Sequence, residues 1–588
     1  MTTLLGALAW HDDPSGAVDG GGHPVATAGP GVGQAAADLD RLLAHRPAAP
    51  WHEVERRDGV AGSVAVVSPA SAAGWRPAAV GGAPHELVAV VAGGNAAPGV
   101  ARLAATADVA ELTRRRLLPV TYAGARLRGD RLELVADRLG SHPLYVRRRP
   151  YGLVFGTSAL LLALLEPRSR LDPLTVAALL CFGQPLGRRT LFEDVEALPA
   201  GAVGTWTARG STQHAPDWPP LEAACGHLAD RARALGAALE AAVTAGHHAG
   251  QAGLLLSGGL DSRLLLALLA PVQGPLAAYT FGADGCLDIQ LARRVTAHVE
   301  VTHRVRPTTA EALGRTLRHG VALTDGTVST LHFVGLEVLP GMRDEVDAQW
   351  NGFAGDAILG GAFAHPRYLR PGPPAVGERL FRVLAHILSP GALPGLLVPT
   401  ASASPGAALR QEFADAVAAA GNGERPEVAF RVLMRERVGR LAASGLALDR
   451  HYLPVITPYA NGPVIARMLR MARSDRRFSR LLRATLGITA PELARIPWQR
   501  TGAAPSTPWP WQVVRRGWRR LAARWSGGAG PAMIDPGPWL AGPLAARRRR
   551  WIECLAEQPL FRGERLRELA RRPGSAPPEL DGILMSLG

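Results

Sequence analysis

The residues with the clearest chemical potential are Ser257, Gly258, Gly259, Asp261 and Ser262, which follow the apolar run Leu254-Leu255-Leu256 and precede Arg263 and the apolar stretch Leu264 to Ala270. A short apolar run, a Ser-Gly-Gly turn and a helix-forming stretch is how a strand hands over to a helix. Amide N–H groups at the helix start, the helix dipole and glycines that let the backbone come close make such a junction attractive to phosphate. Asp261 would repel bare phosphate. Its presence points to a divalent cation between the two, and hence to a magnesium nucleotide. The alternative is a plain Gly-Gly connector.

A second cluster runs Trp350-Asn351-Gly352-Phe353-Ala354-Gly355-Asp356, with Gly360-Gly361 beyond it. Its small residues allow close approach to a ligand, and Asp356 offers another hard oxygen. Two carboxylates from separate loops facing one pyrophosphate suit Mg²⁺, which takes few carboxylates and completes its shell with phosphate oxygens. A third segment, Ile496-Pro497-Trp498-Gln499-Arg500-Thr501-Gly502, brings a cation next to a glycine. The Gly-Lys-Ser/Thr ending of a Walker A loop is absent, because the chain contains no lysine.

These clusters need strands and helices to hold them. Leu221 to Ala245 has helical spacing, Gly253 to Leu256 and Leu276 to Gly282 read as strands, Asp288 to His298 as a helix, and Val299 to Val305 as a further strand. Such alternation predicts a doubly wound parallel sheet with ligand at the carboxyl ends of its strands, where Phe281 and Gly282 would lie near an adenine. The alternating runs at 62–67, 86–91 and 132–136 predict a β-rich layered N-terminal domain. Ser211 to Pro220, with Pro216, Pro219 and Pro220, reads as the linker. The fold class expected is α/β, with domains over 1–210, 221–510 and 511–588.

Residues 370–450 hold helical stretches broken by Pro-Gly clusters, either a cover over the loop or a plain helical layer. His298, His303 and His332 fall near the expected cleft. The tail carries Arg515-Arg516-Gly517-Trp518-Arg519-Arg520, Arg524-Trp525 and Arg547 to Arg550 before Trp551, which reads as a solvated basic face or as a docking surface.

The 588 residues are too many for one core, and 47% hydrophobic content is enough for two or more. All 65 basic residues are arginine and the net charge is +15. Four scattered cysteines, Cys181, Cys225, Cys286 and Cys554, argue against a disulfide framework or a zinc site and fit a reducing cytoplasm. No apolar run approaches the roughly 18 residues of a membrane span, and no basic signal segment opens the chain. The charge raises nucleic acid as a partner, but no RNA-binding motif accompanies it. An acidic peptide or an anionic lipid would serve equally well.

The stretch Ser257-Gly-Gly-Leu-Asp-Ser262 resembles the pyrophosphate loop of the ATP pyrophosphatases. Val135-Ala-Asp137-Arg-Leu-Gly140-Ser-His-Pro143-Leu-Tyr145, Leu153 to Ser158, Thr190-Leu-Phe192 and Leu198-Pro-Ala-Gly201 resemble the glutaminase-type domain of asparagine synthetase-like amidotransferases. The resemblance, over residues ~85 to ~510, implies an Ntn-type N-terminal domain joined to an ATP pyrophosphatase domain. It implies Asp261 and Asp356 as Mg²⁺ ligands, and Leu255, Leu256, Ser257, Gly258, Gly259, Ser262, Phe281, Asn351 and Gly352 as further nucleotide contacts. Arg500 takes the place of the family's usual lysine over the α-phosphate, as the catalytic cation. Arginine keeps its charge and forks onto phosphate but cannot carry a proton.

Three departures narrow the family. Thr2 stands where the glutaminase cysteine is found, so the N-terminal domain is expected to be degenerate and ammonia release lost. Phe353 replaces the Glu of asparagine synthetases and the Tyr of β-lactam synthetases, and the segment around Arg500 lacks lysine. What remains looks most like the lasso peptide cyclases. The implied reaction uses ATP to adenylate an Asp or Glu side chain of a precursor peptide, after which the peptide's α-amine closes a macrolactam, largely by entropic catalysis. The implied partners are that peptide, a leader-binding protein and a leader protease, with no nucleic acid. The alternatives are an asparagine synthetase or β-lactam synthetase-type enzyme on a small molecule, and a tRNA-modifying ATP pyrophosphatase-type enzyme.

Overall fold

In a computed structural model of the chain the described residues are 3–9, 30–46, 49, 52–69, 78–83, 86–92, 97–106, 109, 121–214, 226–359, 376–399, 404–421, 425–525 and 533–588. Thr2, Gly360, Gly361, Cys225 and residues 215–220 and 370–374 lie outside them.

Twelve strands come first: β1 (Thr3–Ala9), β2 (His52–Asp58), β3 (Gly62–Pro69), β4 (Ala78–Ala83), β5 (Glu86–Ala92), β6 (Tyr122–Arg128), β7 (Arg131–Ala136), β8 (Leu144–Arg149), β9 (Gly152–Gly156), β10 (Val195–Leu198), β11 (Val203–Thr207) and β12 (Gly210–His214). They form two six-stranded antiparallel sheets, ordered β10-β8-β9-β1-β3-β2 and β12-β11-β7-β6-β5-β4. Period-two alternation explains the layering. On β1, Leu4 and Leu8 join Val64, Ala89, Leu134 and Phe155 between the sheets, while Leu5, Ala7 and Ala9 turn outward onto Ala35, Leu39 and Leu42 of the helix Pro30–His45. Gly6 lies between, because a Cβ there would stand 2.2 Å from the Phe155 ring. Helix Ala97–Ala105 covers the far face of the second sheet through Leu103. The N-terminal part is thus a four-layer sandwich, helix–sheet–sheet–helix.

The third sheet is parallel. Its strands β13 (Ala252–Leu255), β14 (Leu276–Gly282), β15 (Thr302–Pro307), β16 (Ala348–Trp350) and β17 (Val455–Ile456) take the order β15-β14-β13-β16-β17. Helices Leu228–Ala245, Asp261–Leu269 and Arg480–Thr489 pack on one face around Leu254, Ala278 and Trp350, and helix Ala310–Leu323 packs on the other around Ala277 and Tyr279. Both faces are covered, as a doubly wound sheet requires. A helical layer joins Pro173–Phe182, Val376–Leu384 and Pro405–Ala418 to residues 552–584 in one core. Among the described residues no helix is long and apolar enough to cross a membrane.

Some elements differ from the sequence expectation. Ser211–His214 is not linker but the paired part of β12, with His214 opposite Val203. Val299 and Val301 precede β15 rather than belonging to it, and the preceding helix, Leu287–Thr296, stops before His298. The run Arg547 to Arg550 is not wholly solvated. Arg548 is fully buried and donates to Asp581 at 2.8 Å and to the carbonyls of Leu569 and Ala570.

The sandwich and the parallel sheet are joined by polar side chains. Asp325, in the left-handed region at φ 53°, caps the short helix Ala159–Ala163, accepting from Ser158 Oγ at 2.5 Å and from the N–H groups of Ala159 and Leu160 at 2.9 and 3.2 Å. Asp137 ties its own turn by accepting from the amides of Tyr122, Leu139 and Ser141. Arg450 donates to the Ser141 carbonyl across the junction. Replacing Asp325 with alanine removes an N-cap and leaves buried donors unpaired, so stability in urea should fall by about 1–2 kcal/mol, less for Asp325→Asn.

Candidate active site

Strand order reverses between β13 and β16, which are both parallel and adjacent, with Leu254 opposite Trp350. Their following loops therefore leave the sheet side by side at its carboxyl end, the place where open α/β sheets take ligands. The first loop carries Ser257 to Ser262, the second Asn351 to Asp356. They touch: a Cβ on Gly355 would stand 2.7 Å from the Asp261 carboxyl carbon, so only glycine lets the second loop rest on the first carboxylate. Ala354, at φ 67°, is held in the left-handed region to make that approach.

Asp261 and Asp356 are thus brought together. Asp261 is half-buried, its buried Oδ1 has no hydrogen-bond donor among the described residues, and the Asp356 N–H faces the carboxylate. Burial first, and the like charge of Asp356 second, push its pKa from 3.8 up to about 8, against the opposing pull of Arg500. Arg500 donates to Asp356 Oδ2 at 2.5 Å, with both side chains about one-third exposed at the mouth of the site. The Tyr459 hydroxyl holds the Asp261 carbonyl at 2.9 Å.

Arg263 locks the parts together. Fully buried, it donates to the carbonyls of Leu493 (3.1 Å), Ile496 (2.7 Å), Pro497 (2.9 Å) and Gly258 (3.3 Å). It thereby fastens the first loop to the segment that leads to Arg500. The second loop is fixed from below by Asp449, a half-buried carboxylate that accepts from Asn351 Nδ2 at 2.8 Å and Gln349 Nε2 at 2.7 Å, with its pKa raised to about 6 by desolvation.

Between the loops lies a cavity of about 280 Å³ lined by Leu255, Leu256, Ser257, Asp261, Ser262, Phe281, Asn351 and Gly352, together with Tyr279, Thr280, Asp288, Phe353 and Met533. Eight of the expected binding residues meet there. Gly258 and Gly259 sit behind it in the loop, and Asp356 and Arg500 sit at the rim. Phe281 packs its ring over Gly335, where a Cβ would stand 2.5 Å away, so it is a wall rather than a reader.

The amides of the turn that precedes the helix are held within the protein. Gly258 N–H is held by Asp288 Oδ1 at 2.8 Å, Gly259 N–H by Ser257 Oγ at 3.2 Å, and Ser257 N–H by Ser262 Oγ at 3.1 Å. The histidines do not join the site. His298 bonds the Arg294 carbonyl and is exposed, His303 bridges Thr280 and Thr296, and His332 is exposed in a separate turn, Thr330–Phe333. Asp288, Asp449, Tyr459 and Met533 were missed from sequence, because single residues distant in the chain leave no local pattern.

Among the described residues no group of three or more His, Cys, Asp or Glu side chains could hold a metal by itself. A pair of carboxylates with one buried orphaned oxygen fits instead a hard cation that shares its shell with phosphate.

Residues 234–480 match the model of the asparagine synthase family, which supports an asparagine synthetase-like, ATP-dependent amide-forming ligase. Comparison with curated proteins finds no match. Similar solved structures include the glutamine phosphoribosylpyrophosphate amidotransferase from B. subtilis complexed with ADP and GMP, at 10% identity over 52% of this chain and 65% of that one, TM-score 0.20. Another is described as the allosteric regulatory enzyme of purine biosynthesis, at 9% identity over 52% of this chain and 80% of that one, TM-score 0.21. The chain spans just under two thirds of the first of these, and likenesses this weak carry no conclusion about it.

Asp261 must ionise to take a cation, so affinity for Mg²⁺ with a non-hydrolysable ATP analogue, measured by calorimetry, should rise from pH 6 to about 8 and then level off. The same raised pKa means that the ligand-free fold loses stability as pH climbs from about 4 to 8, because the unfolded chain releases that proton earlier. Asp261→Asn should flatten both profiles. Arg263→Lys keeps the charge but not the fork onto four carbonyls. Thermal unfolding should report a loss of about 1–3 kcal/mol, and the nucleotide should restore less stability than in the parent.

Proposed function

We propose that the chain is an ATP-dependent ligase that closes a macrolactam in a precursor peptide, as the lasso peptide cyclases do. The observation that carries the reading is the meeting of Asp261 and Asp356, from two loops at the reversal of one parallel sheet, under Arg500. A carboxylate oxygen of a peptide Asp or Glu attacks the α-phosphorus of ATP and pyrophosphate departs. The peptide's α-amine then attacks the acyl carbon, AMP leaves with the carboxylate oxygen, and the amine proton passes to water or to AMP.

Mg²⁺, when bound, would neutralise the departing pyrophosphate, and Asp261 and Asp356 are the residues to hold it. Arg500, paired with Asp356 at the mouth of the site, would stabilise negative charge on the α-phosphate. Phe353, buried at the cavity wall, offers neither the carboxylate nor the hydroxyl of the small-molecule branches, which favours a substrate whose amine is already placed. Holding amine and acyl carbon at reacting distance supplies several kcal/mol by proximity alone. A leader-binding protein and a leader protease would present the peptide.

The experiment is ATP–pyrophosphate exchange with the purified chain and a candidate precursor core bearing an acidic residue seven to nine positions in. Exchange should depend on the peptide and be followed by loss of one water from the peptide's mass. Asp261→Ala and Asp356→Ala should each lower the rate by about 10²-fold or more, and Arg500→Lys by less than Arg500→Ala. Formation of asparagine from aspartate and ammonia, with no exchange on any peptide, would refute the reading.

A further inference from the structure

The helix Trp509–Trp525 is amphipathic, and it is held to the protein at its first turn by Trp509, stacked on Phe478 at 4.1 Å, and by Gln512. Gln512 is fully buried: it donates to the Thr507 and Ala504 carbonyls at 2.7 and 3.2 Å and accepts from Trp498 Nε1 and Thr501 Oγ1 at 3.2 Å. At about 100° per residue, Trp511, Val514 and Trp518 share a stripe well away from Gln512. They are 66%, 48% and 67% exposed, far more than large apolar residues ordinarily are. Leu521 and Trp525 continue the same spacing in the sequence.

The charges are one-sided too. Between Glu492 and Asp535 the sequence holds seven arginines and no acidic residue, five of them in this helix. A second copy of the helix would meet like charge with like. Exposed indoles on one stripe, a sequence in which arginine is the only charged residue type, and low overall hydrophobicity are the composition of a helix that lies in a lipid headgroup layer, where indole prefers the interface and arginine snorkels to phosphate.

We propose that residues 509–525 are an interfacial anchor that seats the protein on an anionic lipid surface. The anchor is independent of the reaction assigned above. It is reversible, because a single helix with one apolar stripe buries little area, and it weakens as salt screens the arginines.

The test is flotation of the full chain with phosphatidylcholine vesicles containing about 30% phosphatidylglycerol, against pure phosphatidylcholine, at about 0.15 M salt. The protein should float only with the anionic vesicles, with its indole emission shifted to the blue. A Trp511→Ser/Trp518→Ser double variant with unchanged thermal unfolding should lose about tenfold or more of that binding, and Arg515→Glu should lose part of it. Absence of flotation overturns the proposal. So does flotation that ignores the tryptophan changes, which is plain polyanion attraction. Capture by poly-glutamate that depends on the two tryptophans and exceeds capture by vesicles also overturns it, in favour of an acidic protein partner. Should the double variant unfold, quenching of the parent's indoles by brominated acyl chains decides, its presence for the anchor and its absence against.

Discussion

A single buried guanidinium holds the site in one piece. Among the described residues no carboxylate pairs with Arg263, and its charge is spread over carbonyl oxygens from Gly258, Leu493, Ile496 and Pro497. Burial lowers its pKa to about 10, which leaves it charged at neutral pH. A buried cation is tolerated only where its donors are used, and here the acceptors come from two segments more than two hundred residues apart. The Asp261 loop and the stretch leading to Arg500 consequently move as one body. The fixed charge beneath the loop also adds to its attraction for anions.

Around that fixed point the structure keeps an unresolved electrostatic conflict. Two carboxylates on touching loops disfavour each other's ionisation, and one guanidinium at the rim offsets only part of the repulsion. A left-handed Ala354 and the bare Cα of Gly355 maintain the approach. Such local strain persists when the surroundings over-determine it, as Asp449 below and Tyr459 behind do here. The arrangement is prepared for a positive charge that the chain itself does not supply.

Much of this was legible in the sequence and some was not. The three chemical clusters and the parallel strands were visible because each is local: a strand, a turn of small residues, a carboxylate. The Asp137-Arg-Leu-Gly140 stretch was legible as a motif, but its physical work, a self-capped turn under Arg450, depends on residues some three hundred positions away. Asp325 was invisible for the same reason, since it caps a helix in another layer. The side chains that hold the turn amides were not legible, because sequence tells which donors exist and not which side chains reach them. The basic run at Arg547 to Arg550 misled because Arg548 finds Asp581 only after the chain doubles back.

Met533 accepts from the Ala283 N–H at 2.8 Å and forms one wall of the cavity between the two loops. That wall belongs to a segment synthesised long after the strands it closes. A chain still emerging from the ribosome can finish its parallel sheet and yet present an open-sided pocket, so competence to act arrives late in translation.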